Sequence, residues 1–259
     1  MYSEYNIELK HIQNIIPDNI KKKIDDIKVS LSISNLKSTT IIKPNKDFAN
    51  IYKLLNKISD TNYNKIKDEL LQLIENININ DIDVITKHIF KIASTNKLHS
   101  SLYSNLYKEL INKNNNFYYI LQDNIVLYNE NLRNIKYVSP DNNYDDYCSY
   151  IKNINSIKSS LLFFTNLYKI NICKIDKIEN LCNELITLYS NNSNTEEYKY
   201  ELLQSINIII NELFDDIIFC TNWSFIYNKI VEIKDNHLTS KKIKFKCMDI
   251  IDFVKEKNI

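Results

Sequence analysis

No glycine occurs anywhere in the 259 residues. Close backbone approach to a phosphate and a backbone with positive φ both favour a residue without a side chain. A glycine-rich phosphate loop in its usual form is therefore excluded, and Walker-type and dinucleotide-binding enzymes go with it. Helix ends that need a left-handed residue must use Asn or Lys, and Asn is abundant between the apolar stretches. Proline is confined to Pro17, Pro44 and Pro140, so long segments are free to be helical.

The stretch from Asp81 to Ile111 shows the repeating unit. Ile82, Ile85, Ile89 and Ile92 fall at helical spacing, widened by Phe90 and Ala93. A polar break, Ser94-Thr95-Asn96-Lys97, follows, and Leu102, Tyr103, Leu106 and Leu110 then share one face of a second helix. Two amphipathic helices joined by a short turn form an antiparallel pair, and neither can bury its stripe without stacking on neighbours.

From Asp47 the same pattern continues. Phe48 to Ile58 and Tyr63 to Leu73 predict a pair before this one. Six more stripes follow, beginning at Phe117, Ile151, Ile175, Leu202, Trp223 and Ile243. The span from Asn129 to Asp146, with Pro140 and DNNYDDY, reads as the longest internal loop. The expected fold is all-α, a HEAT-type solenoid of about five antiparallel helix pairs, since the spacing lies near the roughly 40–47 residues of such repeats. The expected domains are an N-terminal extension over 1–47, which caps the array or docks a partner, and the helical array over 48–259.

Hydrophobic residues make up 44% of the chain and charged residues 25%, which suits a core-forming protein and argues against disorder. No apolar run approaches the roughly 20 residues that span a bilayer. MYSEYNIELK lacks the basic-then-apolar order of a signal peptide, so no membrane association and a cytoplasmic setting are expected. The five cysteines are scattered without a CxxC, as reduced, packed thiols would be, and no metal site is expected from them.

Catalytic chemistry finds little support. His11, His88, His99 and His237 are far apart, and no HExxH is present. Asp25-Asp26, Asp145-Asp146 and Asp215-Asp216 are adjacent pairs, which on a helix diverge rather than face each other. No catalytic residue, no cofactor and no enzyme activity are expected. A net charge of +1 gives no global field for nucleic acid, so any RNA contact must be local. Lys241, Lys242, Lys244 and Lys246 cluster at the entrance of the last helix, either as a solvated face or as a contact for carboxylates or phosphates.

Five stretches, in order, resemble the middle HEAT domain of translation initiation factor 4G. LLNKIS (Leu54 to Ser59) is similar to its opening Leu-Asn-Lys-Leu-Thr signature, and HIFKIAS (His88 to Ser94) to its Ile-Phe-x-Lys-Ala segment. SSLYSNLYKEL (Ser100 to Leu110) resembles its Ser-x-x-Tyr segment. SLLFFTNLYKINI (Ser160 to Ile172) resembles its Phe-Ile-Gly-Glu-Leu-Phe-Lys-Leu region, with Thr165 where the family usually has glycine. TSKKIKFKCMDIIDF (Thr239 to Phe253) resembles the closing signature, with lysines in place of its arginines. The likeness covers about 48–254.

The resemblance implies a scaffold that holds the two lobes of a DEAD-box helicase, of the initiation factor 4A type, in a productive orientation and also contacts RNA. The helicase-binding residues it implies are Asn56, Lys57, Asn96, Leu98 and His99, with Lys242 and Lys244 as a second surface. His99 stands where the family carries an aromatic anchor. Lys241 and Lys246 are the implied RNA contacts. A cap-binding partner would need an unrecognised segment, because neither Tyr2 followed by Ile7 nor Tyr5 followed by Lys10 completes the Tyr-x4-Leu motif. Two alternatives remain: a member of the same superfamily in mRNA decay, splicing or nuclear cap binding, or a HEAT-like interaction module unrelated to RNA.

Overall fold

A computed structural model describes residues 46–78, 81–191 and 193–257, and the expected extension over 1–47 lies outside them save for its last two residues. Among the described residues ten helices pack together: α1 (Lys46–Leu55), α2 (Tyr63–Glu75), α3 (Ile82–Thr95), α4 (Ser100–Lys113), α5 (Asn116–Asn134), α6 (Tyr144–Lys169), α7 (Ile175–Ser190), α8 (Glu196–Ile217), α9 (Trp223–Asp235) and α10 (Lys241–Lys257). Among the described residues there is no strand, so the fold is all-α. Each stripe is buried as its spacing requires: Ile66, Leu70 and Ile74 in α2, Ile85, Ile89 and Ala93 in α3, Ile226, Ile230 and Ile233 in α9.

Odd-numbered helices pack on one another in sequence, α3 on α5, α5 on α7 and α7 on α9, and so do even ones, α2 on α4, then α6, α8 and α10. Polar contacts mark the register of these packings. Asn116 at the start of α5 donates to Asp83 at the start of α3 (3.4 Å), so these two helices run in the same direction. Arg133 of α5 pairs with Glu184 of α7 (2.7 Å). Lys158 and Lys169 of α6 pair with Glu201 and Glu212 of α8. Three of the interhelical contacts, Lys158–Glu201, Lys169–Glu212 and the Asn222 N–H to Glu179, each join residues 43 apart, so these helices meet in one repeated register.

Where paired helices turn, the chain is tied to its neighbours. Tyr103 in α4 donates to the Leu55 carbonyl at the end of α1 (2.7 Å), and Tyr198 in α8 donates to the Leu132 carbonyl near the end of α5 (2.5 Å). Each carbonyl lies in the last turn of its helix and also accepts a backbone N–H three residues on, from Ile58 (3.2 Å) and Ile135 (3.3 Å). The α7–α8 loop and the α9–α10 turn line one cleft. The turns after α1 and α3 thus lie side by side, and so do those after α5, α7 and α9.

Three boundaries differ from the sequence expectation. Helix α3 continues through Ser94 and Thr95, whose hydroxyls donate back to the Lys91 carbonyl. Helix α5 runs to Asn134, because Leu132 extends the stripe one turn beyond Tyr128 and is buried. Helix α6 begins inside DNNYDDY: the Asn143 side chain accepts from the Asp145 and Asp146 N–H groups (3.0 and 3.2 Å), and both carboxylates sit in the positively polarised first turn. The loop shrinks to 135–143.

The end of α6 shows how a chain without glycine closes a helix. Asn171 has φ 63°, the left-handed conformation. The Ile172 N–H donates to the Leu167 carbonyl (2.9 Å) and the Asn171 N–H to the Tyr168 carbonyl (2.8 Å), the paired bonds of a Schellman cap. Asn171→Ala is expected to cost about 1 kcal/mol, since a Cβ without a local hydrogen-bonding group is disfavoured there. Asn171→Gly is expected to be neutral or slightly stabilising. Urea midpoints of the two variants check the pair, and equal midpoints would deny the strain.

Candidate partner-binding surface

The two N-terminal turns come together as a rigid corner. Between α1 and α2, the Asn62 amide donates to the Lys57 carbonyl (2.7 Å) while its oxygen accepts from the Ser59 N–H (2.9 Å). Between α3 and α4, the Asn96 oxygen accepts from the His99 N–H (3.0 Å). Tyr103 joins the two turns: it is buried, bonds the Leu55 carbonyl, and also meets the Asn96 side chain. Burial raises the Tyr103 hydroxyl's pKa, and the Asn96 contact opposes part of that shift, so it stays a neutral donor. Behind the corner, Asn166 of α6 donates to the Ser100 hydroxyl (3.0 Å).

This corner presents Asn56, Lys57 and Leu98 to solvent, with Asn96 and His99 half-buried. Leu98 is 85% exposed, the largest value for any large apolar residue among those described. The structure therefore brings five of the sequence-predicted residues into one place, with Leu98 as its tip. His99 sits half-buried at the N-cap position of α4.

The basic cluster lies on α10. Lys241 and Lys242 are exposed, Lys244 and Lys246 half-buried. The Lys242 ammonium lies 4.1 Å from the centre of the Tyr200 ring, a cation–π contact across to α8. Lys246 pairs with Asp249 one turn on (2.9 Å). Part of the positive charge is thus held by the protein's own groups. Beside it, a cleft of about 460 Å³ lies between the α7–α8 loop and the α9–α10 turn, lined by residues including Tyr189, Lys199, Glu232 and Leu238.

Sequence reasoning missed two further exposed apolar residues, Leu238 (82% exposed) in the α9–α10 turn and Phe219 (83%) after α8. Both fall between stripes, where periodicity gives no signal. It also missed Tyr200 as the partner of Lys242.

Burial pushes the thiols of Cys173, Cys182 and Cys247 up to about 12, so they stay protonated at neutral pH. Among the described residues, no group of three or more His, Cys, Asp or Glu could hold a metal ion, and no helix is long and apolar enough to cross a membrane. No family model and no curated protein matches this chain.

Proposed function

We propose that residues 48–259 form a HEAT-type solenoid of about five antiparallel helix pairs. On this reading it is a non-catalytic, cofactor-free scaffold of translation initiation that binds and stimulates a DEAD-box RNA helicase of the initiation factor 4A type, in the cytoplasm, and contacts RNA. The observation that carries the reading is the rigid corner at Asn96, Leu98 and His99, which stands where the factor 4G resemblance expects a helicase anchor. The 43-residue register between helices supports the solenoid, because it falls in the HEAT range.

A rigid scaffold that holds two lobes restricts their relative orientation. Less orientational freedom is then lost when the lobes close on ATP and RNA, so ATP turnover rises without any scaffold group entering the chemistry. Two double variants separate the surfaces. Leu98→Ala with His99→Ala is expected to weaken helicase binding by roughly 1–3 kcal/mol, as loss of an interface anchor does. Lys242→Glu with Lys244→Glu is expected mainly to reduce stimulation and its salt sensitivity, as rim charges do. Calorimetric titration and RNA-dependent ATPase measure both, and unchanged affinity with unchanged stimulation would remove the site. A second reading, a protein-interaction module unrelated to RNA, draws on the internal partners of Lys242 and Lys246, which leave less charge for phosphates.

A further inference from the structure

The α3–α4 and α9–α10 turns share a sequence pattern, Asn-x-Leu-x-Ser: Asn96 to Ser100 and Asn236 to Ser240. In each, the Asn occupies the C-cap of an odd helix with extended backbone, and its side-chain oxygen accepts from a downstream N–H, His99 at 3.0 Å and Leu238 at 2.9 Å. Each asparagine therefore stiffens the turn and holds the leucine outward, at 85% and 82% exposure. One exposed leucine calls for no explanation. A helix-capping asparagine that binds the downstream backbone beside an exposed leucine, three residues on at Asn96 and two residues on at Asn236, occurs twice, and this is a different observation, because a preorganised apolar tip loses little freedom on binding.

Lysines lie beside both tips, although Leu238 also shares its cleft with Glu196 and Glu232 alongside Lys199 and Lys229. Lys97 adjoins Leu98 and Lys57 lies on the neighbouring turn, while Lys241 and Lys242 follow Leu238. The acid nearest Leu238 in the sequence, Asp235, pairs with Lys234 (3.1 Å). We infer that Leu98 and Leu238 are paired anchors for a single protein partner that offers two leucine-sized apolar pockets, each rimmed by carboxylates. This rests on the helicase reading and adds to it an apolar anchor at the C-terminal surface, where lysines alone were expected.

The test titrates an initiation factor 4A-type helicase with the whole chain carrying Leu98→Ala, Leu238→Ala or both. Neither leucine is buried, so the melting temperatures should match wild type. Each single variant is expected to weaken binding roughly tenfold, and the double variant roughly a hundredfold, because anchors in separate pockets act independently. Wild-type affinity in the Leu238→Ala variant would overturn the paired-anchor inference while leaving the helicase reading intact. A double variant no weaker than the worse single one would overturn the two-pocket arrangement. No binding by the wild-type chain would remove the helicase reading and this inference together, so the two failures are told apart by the unmodified protein.

Discussion

Ile89→Asp is expected to unfold the helices around α3 or to lower the melting temperature by about 10–20 °C. Ile89 is 1% exposed at the middle of the α3 stripe, with Ile85 and Ala93 one turn away on either side and equally buried. A carboxylate placed there finds no cationic partner on its own stripe. Burying an uncompensated polar group costs several kcal/mol, against a total stability of about 5–15 kcal/mol for a domain. Ile89→Val removes one methylene at the same site and is expected to cost only about 0.5–1.5 kcal/mol. The comparison separates polarity from volume. Thermal melts followed by far-UV circular dichroism give the answer, and a wild-type midpoint for the aspartate variant would put this face of α3 in solvent.

How much of this was legible in the sequence varied with the range of the interaction. The stripes were, because apolar spacing of three and four residues fixes a buried face whatever the neighbour is, as in Ile82, Ile85 and Ile89. The helix ends were not, because polar residues serve loops and caps alike. DNNYDDY read as loop, yet Asn143 followed by Asp145 and Asp146 is a helix start. Leucines in polar gaps, such as Leu238, gave no periodic signal. Candidate-site placement was half legible: a polar break predicts an exposed turn around Leu98, whereas the Tyr103 bond to Leu55 that sets two turns side by side spans 48 residues. The Lys246–Asp249 pair, three residues apart on one helix, was readable in principle. Lys242 over Tyr200 was not, since it depends on how α10 lies on α8.

The same limit hid the aromatic centre of the fold. Phe163 of α6 is fully buried and meets Phe90 of α3 (ring centres 6.0 Å apart) and Tyr107 of α4 (5.6 Å), both close to edge-on. Tyr107 in turn packs edge-on to Phe117 of α5 and donates its hydroxyl to the Phe117 carbonyl (2.9 Å). Tyr107 also meets Phe90 (5.8 Å), so four helices converge on the Tyr107 ring, and Phe163 holds α6 to α3 and α4 at this point. Phe163→Ala is expected to cost about 3–5 kcal/mol, the transfer of a phenyl ring plus the cavity its rigid neighbours cannot close. Edge-on contacts to two rings place the loss toward the upper part of that range. Phe163→Leu, which keeps most of the volume, should cost less than half as much. Phe219→Ala is the surface control: at 83% exposure it should change stability by about 0.5 kcal/mol or less. Urea denaturation with a shared slope for all three variants resolves these values. A Phe163→Ala loss under about 1 kcal/mol would mean the cavity collapses freely, and that α6 is anchored to α3 and α4 by something other than this ring.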